Sequence, residues 1–158
     1  QIIEADLGHP EHADAIVMLL DVYARDPAGG GQALNDRVRE RLVPELRKRT
    51  GVHVVLAFEG DEAVGMAICM EGFSTFVCEP LLNVHDLVVH PSRRGQGLAG
   101  QLLAEVERIA RQRGCCKVTL EVLEGNTSAQ AAYRRAGFEG YQLDPVMGRA
   151  MFWQKWLS

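Results

Sequence analysis

At 158 residues, 47 % apolar and 24 % charged, the chain suits one domain spanning residues 1–158 with its own core, and neither disorder nor a fibrous repeat is suggested. A net charge of −4 speaks against a nucleic-acid surface, which carries a basic excess, and favours cationic substrates. No apolar run approaches the roughly 18 to 20 residues that cross a bilayer, and no signal-like leader is visible, so a cytoplasmic protein without a membrane partner is expected.

In chain order, residues 2–5 read as a short strand and residues 10–24 as a helix with Ile16, Leu19, Leu20 and Tyr23 on its inward face. Asp26, Pro27 and Gly29 to Gly31 then make a permissive loop. A second helix carries Leu34, Val38, Leu42 and Leu46 four apart, and Pro44 is expected to kink or divide it. The β-branched runs 52–58 and 63–69 flank Glu59-Gly60-Asp61-Glu62 as an antiparallel hairpin. Residues 81–89 follow as a strand, then a long helix at 98–113 with a stripe of Leu102, Leu103, Val106, Ile109 and Ala110, ended by Gly114. A strand at 118–123, a helix capped by Asn126 and running to Ala136, and a last strand at 150–156 complete the chain. The expected class is α/β, one mixed sheet flanked by helices. Cys69, Cys78, Cys115 and Cys116 lack C-x-x-C spacing and nearby histidine pairs, so reduced thiols and no metal are expected.

The stretch Pro91-Ser92-Arg93-Arg94-Gly95-Gln96-Gly97-Leu98-Ala99-Gly100 carries the chemistry. The first amides of a helix lack internal partners and sit at the positive end of its dipole, so they favour an anion. Arg93 and Arg94 stand where an acidic residue normally opens a helix, which suggests that a bound anion completes the site. Gly95, Gly97 and Gly100 also spell G-x-G-x-x-G, with Glu121 about twenty residues on, as a dinucleotide fold would have it. Four residues separate the strand from the first glycine, however, and the remaining chain is too short for repeated βα units.

Arg94-Gly95-Gln96-Gly97-Leu98-Ala99 resembles the Q/R-x-x-G-x-G/A signature of the GNAT superfamily of N-acetyltransferases. Asn126, Tyr133 seven residues later, then Gly137-Phe138 resemble the family's second signature. The resemblance implies a strongly twisted mixed sheet whose two central parallel strands splay to admit a pantetheine arm. It implies acetyl transfer from acetyl-coenzyme A to a primary amine, of a small molecule, by direct attack in a ternary complex. The alternative is a non-catalytic acyl-coenzyme A binding module. A homodimer is implied as well.

The resemblance assigns the pyrophosphate to the amides of Arg94, Gly95, Gln96, Gly97, Leu98, Ala99 and Gly100, and the pantetheine arm and thioester carbonyl to Leu87, Val88, Val89 and Asn126. It makes Tyr133 the acid that protonates the departing thiolate, as a phenol within hydrogen-bond reach can. An amine that is mostly protonated at neutral pH also needs a base, and His85, Asp86 and Glu121 are available. Strand alternation puts His85 on the face of Leu87 and Val89 and Asp86 on the other, which favours His85 as base. The strand resembles that of the diamine and thialysine acetyltransferases, which carry Glu-Asp where this chain has His85-Asp86. Asp26 in the glycine-rich loop, Phe73 and Thr75 in the aromatic segment, Asp86 and Glu121 are the candidates for amine binding.

Overall fold

The structure is a computed structural model that describes residues 1–157. Its elements are β1 (Ile2–Glu4), α1 (Pro10–Arg25), α2 (Asp36–Arg47), β2 (Val52–Glu59), β3 (Glu62–Ser74), β4 (Glu79–Val89), α3 (Leu98–Gln112), β5 (Val118–Leu120) and α4 (Thr127–Arg135). The five strands lie in chain order, antiparallel except for the parallel pair β4–β5. The expected mixed sheet flanked by helices is the one observed.

Each face of the sheet has its own core. Alternation along β2 and β3 sends Val55, Ala67 and Cys69 toward α3, and Val54, Met66 and Ile68 toward α1 and α2. All five residues of the α3 stripe are buried. The four larger ones contribute roughly 6–12 kcal/mol of gross burial, at about 1.5–3 kcal/mol each, as an upper bound. Gly65 on β3 lets α3 come close, because a Cβ there would meet Leu102 Cδ1 at 3.0 Å.

Several expectations change. α2 runs unbroken through Pro44. Proline removes one donor to the Glu40 carbonyl, but both residues face solvent, where water can serve the freed carbonyl. The buried residues of α2 are Val43 and Leu46, and Leu34 lies outside the helix. β3 continues to Ser74 and pairs Phe73 with Pro80, so Phe73 belongs to a long hairpin and not to a separate aromatic loop. β5 ends at Leu120 instead of Leu123, and residues 150–156 form no strand. Both shortfalls have one cause: a strand needs a partner ladder, and neither segment finds one in this chain.

Candidate active site

The β4–β5 ladder closes Leu82, Asn83 and Val84 against Val118, Thr119 and Leu120, and then stops. At that point β4 carries a bulge. Ile68 faces Asp86 while Cys69 faces Val84, leaving His85 as the extra residue. Val84, Leu87 and Val89 therefore face α3, and Asp86 shares the α1 side with Ile68. The expected grouping of His85 with Leu87 and Val89 fails, because the bulge interrupts the period of two on which it rested. The His85 ring turns instead to Asn83, its Nδ1 lying 2.7 Å from Asn83 Oδ1.

That contact favours one tautomer of the neutral ring. Asn83 Nδ2 donates to Thr119 Oγ1 at 3.0 Å and faces Thr119 O at 3.4 Å, so Oδ1 is the atom turned to the imidazole. An acceptor there calls for a proton on Nδ1, which leaves Nε2 with its lone pair. Asn83 and Thr119 were not singled out by sequence; the signal was Asn83 two residues from His85 on one strand. The ring is exposed, whereas Asp86 is half-buried. Burial raises the Asp86 carboxyl above its ordinary range, partly offset by His85.

Tyr23 also escaped the sequence reading as a site residue, since its spacing on α1 reads only as core. Burial raises its phenol, and the charges of Asp86 and Asp26 raise it further. Tyr133, packed against the α3 cluster and 6.2 Å in ring-centroid distance from Phe138, is raised by burial and then by Tyr23. The charges of Asp86 and Asp26 thus bear on Tyr23, and Tyr23 on Tyr133.

At the far end of β4, a single 3₁₀ turn (Pro91–Arg93) leads into α3. Gly97 caps the helix at φ 78°, a left-handed conformation that glycine takes freely, and Gly95 has φ 75°. Gly97 supplies no side-chain cap, and the first turn, with Leu98, Ala99 and Gly100, carries no acidic residue. Those amides and the neighbouring guanidinium of Arg94 fit a polyphosphate. Arg94 Nη2 meanwhile lies 2.8 Å from Asp26 Oδ2, which brings the loop after α1 to the rim of this cradle. Arg93 turns away to pair with Glu59, and Gln96 stays exposed.

The remaining candidates are scattered. Asn126 caps α4 through Ala129 N at 3.2 Å. Glu121 is exposed beyond the end of β5. Phe73 is 58 % exposed and Thr75 sits in the turn of the β3–β4 hairpin. Five residues of strand separate Phe73 from Ile68 at the bulge, about 17 Å at 3.3–3.4 Å per residue, so neither adjoins the bulge.

The profile of the acetyltransferase (GNAT) family matches residues 16–138. Among curated proteins, the chain is 29 % identical to a thialysine N-epsilon-acetyltransferase of Caenorhabditis elegans over 124 residues, 78 % of this chain and 75 % of that protein. It is 41 % identical to a mycothiol acetyltransferase of Streptomyces coelicolor over 88 residues, 56 % of this chain and 26 % of that protein. Among solved structures, a probable acetyltransferase superposes with a TM-score of 0.82 at 21 % identity, covering 100 % of this chain and 99 % of its own. That likeness speaks to the fold. The chain belongs to the acetyltransferase (GNAT) family, and with relatives named as acetyltransferases it is an acetyl-coenzyme A-dependent N-acetyltransferase.

Proposed function

We propose that the protein acetylates the primary amine of a small cationic molecule by direct attack in a ternary complex, working as a homodimer. Acetyl-coenzyme A supplies an activated acetyl thioester. Every other requirement falls to the chain. The amides of Gly95 to Gly100 and the Arg94 guanidinium hold the diphosphate, and Leu87, Val88, Val89 and Asn126 line the path of the pantetheine arm. His85 Nε2 takes the proton of the incoming ammonium, its ring held by Asn83. The Tyr133 hydroxyl, raised above an ordinary phenol by burial, stays protonated at neutral pH and gives its proton to the departing thiolate. Asp26 and Asp86 favour a cationic acceptor.

The observation that carries this reading is the coincidence of the bulge at His85 with the last β4–β5 pair, Val84 with Leu120. In this reading the acyl chain passes beside the bulge, next to an ionisable side chain. Two curated relatives are named for thialysine and mycothiol, which supports a small-molecule acceptor. The test is release of coenzyme A thiol from acetyl-coenzyme A across a panel of lysine analogues, diamines, aminoglycosides and peptide N-termini, with calorimetric titration of acetyl-coenzyme A and NAD alongside. Turnover with a small amine is expected. Turnover with peptides only would refute the acceptor class, and tight acetyl-coenzyme A binding without any turnover would favour the binding-module alternative.

A further inference from the structure

Of the two arginines that precede α3, Arg93 is bound to Glu59 at the end of β2. Arg94 is left to meet an anion at the Gly95–Gly100 amides, yet its guanidinium is already engaged. Nη2 lies 2.8 Å from Asp26 Oδ2 and Nε 3.4 Å from Val89 O, and the side chain is 52 % exposed. An anion arriving at the cradle therefore meets a carboxylate that holds the same cation.

That carboxylate is held in place without help from Arg94. Asp26 Oδ1 accepts from Ala28 N at 3.0 Å, and the Asp26 carbonyl accepts from Gly29 N at 2.8 Å and Gly31 N at 3.0 Å. Asp26 N donates to Tyr23 O and Gln32 N to Ala24 O, both at 3.0 Å, so each end of the turn is tied to the last turn of α1. The turn sits so closely there that a Cβ on Gly29 would lie 2.0 Å from Tyr23 O. The two carboxylate oxygens therefore differ. Oδ1 belongs to its own loop, whereas Oδ2 has, among the described residues, only the guanidinium of Arg94. A fixed oxygen of this kind is a seat for a cation that carries N–H donors. The pair that fills it is half exposed, and such pairs are worth only about two- to fivefold in an equilibrium constant. A diphosphate has more charge than one carboxylate and gains the helix amides as well, so it wins the guanidinium.

We propose that Arg94 is exchanged between two anions: it covers Asp26 Oδ2 when the cradle is empty and moves to the diphosphate when acetyl-coenzyme A binds, uncovering Asp26 for the cationic acceptor. The inference rests on the acetyl-transfer reading above and adds to it a coupling between donor and acceptor. Arg94 is an internal stand-in for the acceptor's cation, and Asp26 stays where its own backbone holds it after Arg94 leaves. The coupling is reciprocal, because a cation that displaces Arg94 from Asp26 also frees it for the diphosphate.

Calorimetry with coenzyme A, which has no acetyl group to transfer, reads both halves of the exchange. Asp26→Asn is expected to bind coenzyme A about two- to threefold more tightly than wild type, and Arg94→Ala about tenfold more weakly. Adding Asp26→Asn to Arg94→Ala should bring no further gain, because the competition runs through that guanidinium. With the amine that turns over fastest in the panel, wild type should bind it about two- to fivefold more tightly when coenzyme A is saturating than when it is absent. Both single variants should lose that difference. Coenzyme A affinity that is unchanged or weaker in Asp26→Asn overturns the proposal, since Asp26 would then merely steady Arg94 for the diphosphate. An amine affinity that responds to coenzyme A as strongly in Arg94→Ala as in wild type overturns it equally. Both results leave acetyl transfer intact, whereas a wild-type protein that binds no coenzyme A, or turns over no amine, overturns that reading and the proposal with it.

Discussion

Arg94 Nη2 stands 2.8 Å from Asp26 Oδ2, joining the loop that leaves α1 to the loop that opens α3. The two segments are 68 residues apart in sequence. Asp26 also accepts from Ala28 N at 3.0 Å, and that amide, then Arg94, hold its carboxyl below the usual range. The pair is half exposed, so its effect on stability is under about 1 kcal/mol. Its effect on position is larger.

Arg94→Ala is expected to raise the KM for acetyl-coenzyme A about tenfold, the size of one lost charge-assisted hydrogen bond. Asp26→Asn should leave that KM within about threefold and raise the KM of the amine instead. Initial-rate kinetics in both substrates separate the two. Because the Asp26 carboxyl is lowered, it stays ionised from mildly acidic pH upward, and the Asp26→Asn effect should be the same at pH 6 and pH 9. An amine KM unchanged by Asp26→Asn would detach the loop from the acceptor site.

Tyr133→Phe should lower kcat about 100-fold, within the range for loss of a positioned general acid, with calorimetric affinity for acetyl-coenzyme A nearly unchanged. Burial and Tyr23 raise the Tyr133 phenol above its ordinary value of about 10. Its acidic form therefore persists through the neutral and mildly alkaline range, and no alkaline fall in kcat below about pH 10 should be attributable to it. A rate unaffected by the loss of the hydroxyl would remove Tyr133 from the mechanism.

Asn83 is expected to act through His85. Asn83→Leu should lower kcat about tenfold without altering acetyl-coenzyme A affinity, since it frees the ring to rotate and to change tautomer. Asn83→Asp places a carboxylate against Nδ1, favours the imidazolium and should move the acid limb of the pH–rate profile to higher pH. An acid limb that stays in place in Asn83→Asp but disappears in Asp86→Asn would transfer the base role to Asp86.

Asp21 ties α1 to α2. Its side chain is 13 % exposed, bonds Arg25 Nε at 2.8 Å and Leu34 N at 2.9 Å, and pairs with Arg39 Nη2 at 2.7 Å. Burial pushes its carboxyl up, but the Leu34 amide and the two arginines outweigh that and lower it overall. Asp21→Ala should cost about 2 kcal/mol and about 4–8 °C in Tm. A carboxyl lowered by folding stabilises fully above its unfolded value of about 3.9, and the contribution is lost as pH falls through the lower folded value. Thermal melts of wild type and variant should therefore converge as the pH falls below about 4.

The sequence by itself determined what depends on one segment at a time. All five residues of the α3 stripe point inward because the 3.6-residue period is a property of that helix alone, and the glycine-rich cradle is legible because Gly95 and Gly97 act through their own backbone. Only the tertiary structure decided what depends on two segments together. The bulge at His85 is a mismatch of register between β3 and β4, and no pattern within β4 announces it. The partners of Asp26 and Asn83, Arg94 and Thr119, come from distant parts of the chain. The strand-like run 150–156 makes the same point in reverse: composition proposes a strand, but a ladder requires a second edge to pair with.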